Sequence, residues 1–232
     1  MREIMKILSC INKIFLKLQR RVQGMPSGSA HLYDKLATRI LEPLYDMVTE
    51  EYRMKTREDL KILEVGCGAG KLLGKVADKF NTYTILGLDI SEAMVMISKK
   101  NLDKHYKYKV DLFVADAHRI PLKRESIDLI LSTGTLHHIR RPCIFFQQCI
   151  ETLSEYGEAW IYEFSCDAPD KELKVSAELL RKPSLFLKIV ASLHGIPRRE
   201  YNEGYIKQAL DKAKAKYEVK YEGIITKLIL KT

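Results

Sequence analysis

Between Lys61 and Phe164 the chain alternates short β-branched or apolar runs with helical stretches, and few architectures accommodate that rhythm. The runs are KILEV (61–65), YTILGLD (83–89), KVDLFVAD (109–116), SIDLILS (126–132) and EAWIYEF (158–164). Helical stretches at Lys71–Phe80, Glu92–Asn101 and Pro142–Ser154 separate most of them, whereas AHRIPLKRE (117–125) is too short for a helix. Strands alternating with helices of about ten residues build βαβ units, and hence a parallel sheet covered on both faces. Beyond the fifth run, Lys171–His194 reads as an apolar-rich helical insertion and Arg199–Lys216 as a further helix. YEVKYEG (217–223) and ITKLILKT (225–232) are close enough to form an antiparallel hairpin.

The segment EVGCGAGKLLG (64–74) joins the first run to the first helix and narrows the ligand. A phosphate-wrapping P-loop requires G-x-x-x-x-G-K-[ST]. Lys71 does follow Gly70, but Val65 stands where the first glycine belongs and Leu72 where the hydroxyl belongs. A dinucleotide fingerprint, G-x-G-x-x-G, needs a third glycine at 71, which is lysine. What remains is E-x-G-x-G-x-G, Glu64, Gly66, Gly68 and Gly70, which lets a ligand without phosphate lie flat on a backbone free of side chains.

With that loop the chain resembles the class I S-adenosylmethionine-dependent methyltransferases, particularly the small-molecule branch of ubiquinone and menaquinone biosynthesis. The resemblance is strong over about 60–165 and holds in outline elsewhere. It implies an α/β fold: a seven-stranded Rossmann-like sheet of five parallel strands, completed by the C-terminal antiparallel hairpin, with helices on both faces. The implied cofactor is S-adenosylmethionine, leaving as S-adenosylhomocysteine. Glu64 then serves the amino-acid tail directly or through water, beside Gly66, Cys67, Gly68 and Gly70. Asp89, nineteen residues past Gly70, accepts the ribose hydroxyls, with Ile90 next to it in the typical Asp-Ile-Ser-x-x-Met continuation. Asp116 and the backbone of Ala117 hold the adenine, and Ser132 completes the implied cofactor set. Acidic residues at successive strand ends agree with ligands sitting outside the carboxyl edge of open α/β sheets.

The fourth run continues as STGTLHHIRRP (132–142). Imidazole titrates near neutral pH, so His137 and His138 are the candidate bases for an acceptor that must lose a proton, His138 ahead of His137. The alternative is that each merely bonds a neighbouring backbone group. Arg140 and Arg141 replace the Asp-Pro common in the family and favour an anionic acceptor or a phosphate. Tyr33, Glu163 and Cys166 are further candidates for the acceptor side, with ordinary packing as the competing reading. The DNA-amine tetrapeptide (Asn/Asp-Pro-Pro-Tyr/Phe) and the Pro-Cys pair of cytosine-C5 enzymes are both missing at this strand end.

Residues 1–57 are expected to form an N-terminal helical extension and 58–232 the methyltransferase domain, with a lid-like helical insertion at about 167–198. The leucines of that insertion also suit simple core packing. The net charge of +9 sits at the ends: residues 1–24 and 167–232 each carry +5, and the middle carries −1. Met1 to about Arg21 has the period of a basic amphipathic helix, fit to lie on anionic lipid, to contact RNA phosphates or to cap the cofactor. His31 to about Arg53 is a second helical stretch that Pro43 should kink or divide. Five cysteines without a C-x-x-C pair read as reduced thiols, with no metal site. No apolar run reaches membrane-spanning length and the N-terminus lacks a secretory cleavage site, so a cytoplasmic setting is expected. RNA as acceptor, or cofactor binding without turnover, are the alternatives to a small-molecule methyltransferase.

Overall fold

A computed structural model describes residues 41–51, 60–79, 84–105 and 110–232. The basic stretch at 1–21 and Tyr33 lie outside them, as does most of the N-terminal extension. In chain order the elements are α1 (41–51), β1 (Lys61–Val65), α2 (Lys71–Lys79), β2 (Thr84–Asp89), α3 (Glu92–His105), β3 (Val110–Val114) and β4 (Ile127–Thr133). A 3-10 turn (Leu136–His138) leads into α4 (Pro142–Thr152) and β5 (Leu153–Phe164). The insertion forms α5 (Asp170–Leu179) and α6 (Ser184–His194). Then come α7 (Arg199–Asn202), α8 (Tyr205–Lys212), β6 (Lys216–Glu222) and β7 (Ile225–Lys231).

The seven strands form one sheet in the order β3-β2-β1-β4-β5-β7-β6. β1 to β5 run parallel, and β7 joins antiparallel to both β5 and β6. This is the α/β sheet that the alternating pattern requires. Its central strands are buried on both faces, so β4 (IDLILST) reads as a nearly unbroken apolar run. β6 lies at the edge and alternates strictly. It turns Lys216, Glu218, Lys220 and Glu222 outward, which discourages pairing with another chain.

Two apolar layers sandwich the sheet. One packs α1, α2, α5 and α6 on Ile62, Leu129, Trp160 and Tyr162. The other packs α4 and α8 on Leu63, Ile130, Ile161 and Leu228. Adjacent strand residues enter opposite layers, the period-two rule at work.

Three boundaries differ from the sequence expectation, each for a local reason. The insertion is two helices because Pro183 restricts the residue before it and supplies the fixed φ at the start of α6. The Arg199–Lys216 helix is likewise split, at Gly204, whose missing side chain makes room for Glu200. β5 begins five residues early, pairing Leu153 with Ile127 before a register shift that brings Glu158 opposite Leu129. Tyr156 at φ 64° and Gly157 form the bulged stretch between the two registers.

α1 is held to the rest of the fold through its acidic residues. Lys75 of α2 pairs with Asp46 at 2.6 Å and Lys79 with Glu50 at 2.7 Å. Glu51 accepts from the Tyr162 hydroxyl at 2.9 Å and pairs with the buried Lys227, whose ammonium lies 3.5 Å from the centre of the Trp160 ring. Removing Lys227 from water is offset by that carboxylate and by the ring faces. The consequence is positional: Leu41 and Tyr45 of α1 stand over the carboxyl edge of the sheet.

Candidate active site

The strand order reverses between β1 and β4, and a cleft of about 1020 Å³, its open mouth included, lies at that switch point. Its floor is the loop after β1. Gly66, Gly68 and Gly70 all adopt positive φ, at 76°, 49° and 74°. Only glycine takes that backbone at no cost, but the three differ in what a side chain would meet. A Cβ at Gly66 would lie 2.3 Å from Thr135 Oγ1, and one at Gly70 would lie 2.2 Å from Ser98 Oγ. At Gly68 it would meet nothing within 4 Å. Gly66 and Gly70 therefore leave room for the protein itself, and Gly68 alone leaves room for a ligand.

The loop's donors are turned inward. Gly66 and Cys67 N–H donate to Leu88 O at 2.8 and 2.9 Å, Gly70 N–H to Cys67 O at 2.9 Å, and Gly68 N–H to Asp89 Oδ2 at 2.9 Å. A phosphate-binding loop aims such groups at its ligand. Here those of Gly66, Cys67, Gly68 and Gly70 are already satisfied within the protein.

Carboxylates close the other side. Asp89 at the end of β2 receives Gly68 N–H on one oxygen and Ser91 N–H, at 2.8 Å, on the other. Burial raises its pKa, against the lowering effect of N–H groups from Ser91, Gly68 and Ile90. Asp116 follows β3. Burial would raise its pKa, but the His118 backbone and ring and the charge of Arg141 outweigh burial and hold it below the usual value. The His118 ring is oriented from both ends. Its Nε2 accepts Arg141 N–H at 3.1 Å, so its Nδ1 carries the proton and donates to Asp116 at 2.6 Å.

Of the cofactor residues expected from sequence, Gly66, Cys67, Gly68, Asp89, Ile90, Asp116 and Ala117 line the cleft. Glu64, Gly70 and Ser132 do not. Glu64 is 2% exposed beneath the loop. Burial, then the charge of Asp89, raises its pKa well above the ordinary value, and its Oε2 has no hydrogen-bond partner. Ser132 is fully buried and donates to Val65 O at 3.0 Å, tying β4 to β1. Its neighbours Thr133, Gly134 and Thr135 face the cleft instead. Sequence reasoning also missed Leu41, Tyr45, Lys71 and Met94 on the wall. Met94 carried a signal in its Asp-Ile-Ser-x-x-Met spacing, whereas α1 reaches the site only through tertiary packing.

The two histidines part company. His138 lines the cleft. His137 is 3% exposed and is held by Glu163, which accepts its backbone N–H at 3.2 Å and lies 3.0 Å from its Nδ1. The ring centroids are 4.0 Å apart between His137 and His138, and 5.5 Å between His137 and His194 at the end of α6. Burial pushes the Glu163 pKa up to about 8, despite opposing contributions from His137, His138 and His194. Burial likewise lowers His194 to about 4. Glu163 is thus 1% exposed behind the histidines rather than on the cleft wall. Cys166 does not line the cleft either, and burial, then the charge of Asp167, pushes its thiol up to about 12. Arg140 and Arg141 are exposed outside the cleft. None of the described residues of the insertion lines it.

The methyltransferase domain family matches residues 56–223, and the chain belongs to it. Among curated relatives it is 27% identical over 183 residues to a malonyl-[acyl-carrier protein] O-methyltransferase of Geobacter sulfurreducens, covering 78% of this chain and 61% of that protein. It is 27% identical over 125 residues to the demethylmenaquinone methyltransferase of Lactococcus lactis, covering 52% and 50%. The chain thus spans about half to three fifths of the length of these relatives. A SAM-dependent methyltransferase from Aquifex aeolicus superposes with a TM-score of 0.64 at 19% identity, over 89% of this chain and 98% of that one, a likeness of fold. The class expected from the glycine loop is therefore met by the family match and by the fold.

Proposed function

We propose that the chain is an S-adenosylmethionine-dependent methyltransferase acting on a small molecule. The observation that carries the reading is the loop after β1, whose N–H groups are spent within the protein and whose open position at Gly68 faces the carboxylate of Asp89. A nucleoside without phosphate fits that surface. In this reading Asp89 accepts the ribose hydroxyls, Asp116 and Ala117 meet the adenine edge, and Ile90 with Met94 covers its faces; all five line the cleft. The unsatisfied Oε2 of Glu64 beneath the loop suits an ammonium reached through water.

When bound, the cofactor supplies an electrophilic methyl group on a sulfonium. The protein's part is to align the acceptor and to exclude water. Tyr45 and Leu41 of α1 line the cleft and contribute to that exclusion. In this reading His138 takes a proton from an acceptor hydroxyl or amine, supported by its being the one of the two histidines that lines the cleft. His137, fixed by Glu163, orients its neighbour.

Relatives that methylate an acyl-carrier-protein-bound malonyl group and a menaquinone precursor point to carbon skeletons with an acidic or apolar character. Cys67, Cys143, Cys149 and Cys166 carry no disulfide among the described residues. No helix among the described residues is long and apolar enough to cross a membrane.

The test is to incubate the protein with methyl-labelled S-adenosylmethionine and a fractionated cell extract. Label is expected in the small-molecule or lipid fraction. Label confined to RNA, or no label in any fraction, would overturn the reading.

A further inference from the structure

The insertion helices carry a surface that the cleft does not use. Nine large apolar residues are exposed among the described residues, and five of them, Val175, Leu179, Leu185, Phe186 and Ile189, fall within fifteen positions of the α5–α6 hairpin. Val175, Leu179 and Leu185 are 61%, 64% and 71% exposed, Ile189 is about half exposed at 51%, and Phe186 is partly exposed at 36%. Val175 and Leu179 are one turn apart on α5, and Leu185 and Ile189 one turn apart on α6. Both helices bury their other faces, Leu173 and Leu180 from α5 and its cap, Leu187 and Ala191 from α6, in the same apolar layer. Their outward faces therefore lie on the same side of the sheet.

That surface is rimmed with positive charge. Lys171, Lys174, Arg181 and Lys182 have no ion-pair partner among the described residues. Of the acids on α5, Asp170 pairs with Lys188 at 3.1 Å and Glu172 with Arg198, and Glu178 is exposed beside Leu179, which leaves those four basic residues against one acid. Arg181 and Lys182 sit at the turn of the hairpin between Leu179 and Leu185, so the apolar and the basic groups share its tip.

We propose that the outward face of the α5–α6 hairpin docks on an anionic phospholipid surface. Apolar side chains able to enter the acyl boundary, beside cations able to meet headgroup phosphates, are the pattern of an interfacial helix. A protein partner fits less well. The patch has no Tyr, Trp or Met, the residues that anchor protein interfaces, and Phe186 is its single aromatic. A lipid surface demands no shape complementarity, only apolar depth and positive charge. The proposal stands independently of the methyl acceptor's identity.

The experiment is co-sedimentation of the 232-residue chain with phosphatidylcholine vesicles and with vesicles containing phosphatidylglycerol as well. Wild-type protein is expected to sediment with the anionic vesicles, weakly with the neutral ones, and less at high salt. The triple variant Leu185→Glu, Phe186→Glu, Ile189→Glu should lose roughly a hundredfold in apparent affinity. These positions lie outside the cleft, so thermal unfolding and S-adenosylhomocysteine binding by the variant serve as controls for folding. Lys171→Glu with Lys174→Glu should weaken only the anionic binding. Undiminished sedimentation of a folded triple variant would place any lipid contact elsewhere in the chain and overturn the proposal. So would absence of wild-type binding, or a concentration-dependent dimer that the triple variant abolishes.

Discussion

The two halves of the cleft are built by different means. On the β1–β3 side, backbone groups and carboxylates from successive loops lock together: Gly68 N–H on Asp89, Ser91 N–H on the same carboxylate, His118 on Asp116. On the β4–β5 side the elements are long-range pairs of titratable side chains, with Glu163 holding His137 across 26 positions and His194 arriving from α6. The first half is a rigid receptor whose shape the main chain determines. The second is a buried ionisable cluster whose state depends on pH, and it is the side on which an acceptor proton would have to be handled.

Substitutions can sharpen that contrast. The largest effect belongs to the loop. Gly66→Ala and Gly70→Ala combine a left-handed backbone with contacts of 2.3 and 2.2 Å to Thr135 and Ser98, and each should cost about 3 kcal/mol or more in chemical denaturation. Gly68→Ala pays only the backbone term, about 1 kcal/mol, yet should bind S-adenosylhomocysteine far more weakly. Equal destabilisation by all three would break the distinction between glycines that admit the protein and the one that admits a ligand.

A smaller effect should come from the buried cluster. Glu163 in the fold titrates near 8, above its unfolded value, so between the two values the folded state holds a proton that the unfolded chain releases. Its contribution to stability is complete at low pH and is lost as pH rises toward 8. His194, lowered to about 4, acts in the opposite sense below its unfolded value of 6.5, where stability falls as pH falls. Glu64, also raised by burial, acts in the same sense, so Glu163 is separated by comparing wild type with Glu163→Gln over the interval from 6.5 to 8, where His194 contributes little. Wild type should lose about 2 kcal/mol more than Glu163→Gln across it, measured by urea unfolding at both ends. Parallel curves would mean that the carboxyl group is already ionised at neutral pH.

The same contrast explains what could be read from the sequence. The sheet, its hairpin and the acidic ends of β2 and β3 follow local periodicity and spacing, and both carboxylates line the cleft. Ser132 escaped because strand alternation turns it toward Val65 and leaves the wall to its neighbours. Glu163 was visible as an acid in an apolar strand, but its partner was not, since nothing local links it to His137. Tyr45 and Leu41 reach the cleft because lysines of α2 and β7 grip the acids of α1, a tertiary arrangement with no sequence period of its own.

The central claim is that the switch-point cleft receives a nucleoside that carries no phosphate, and calorimetry tests it most directly. S-adenosylhomocysteine should bind saturably to wild type and at least about a hundredfold more weakly to Asp89→Ala, a loss of two charge-assisted hydrogen bonds. ATP and NAD should not compete. Competition by either phosphate-bearing nucleotide, or an affinity for S-adenosylhomocysteine that Asp89→Ala leaves unchanged, would contradict it.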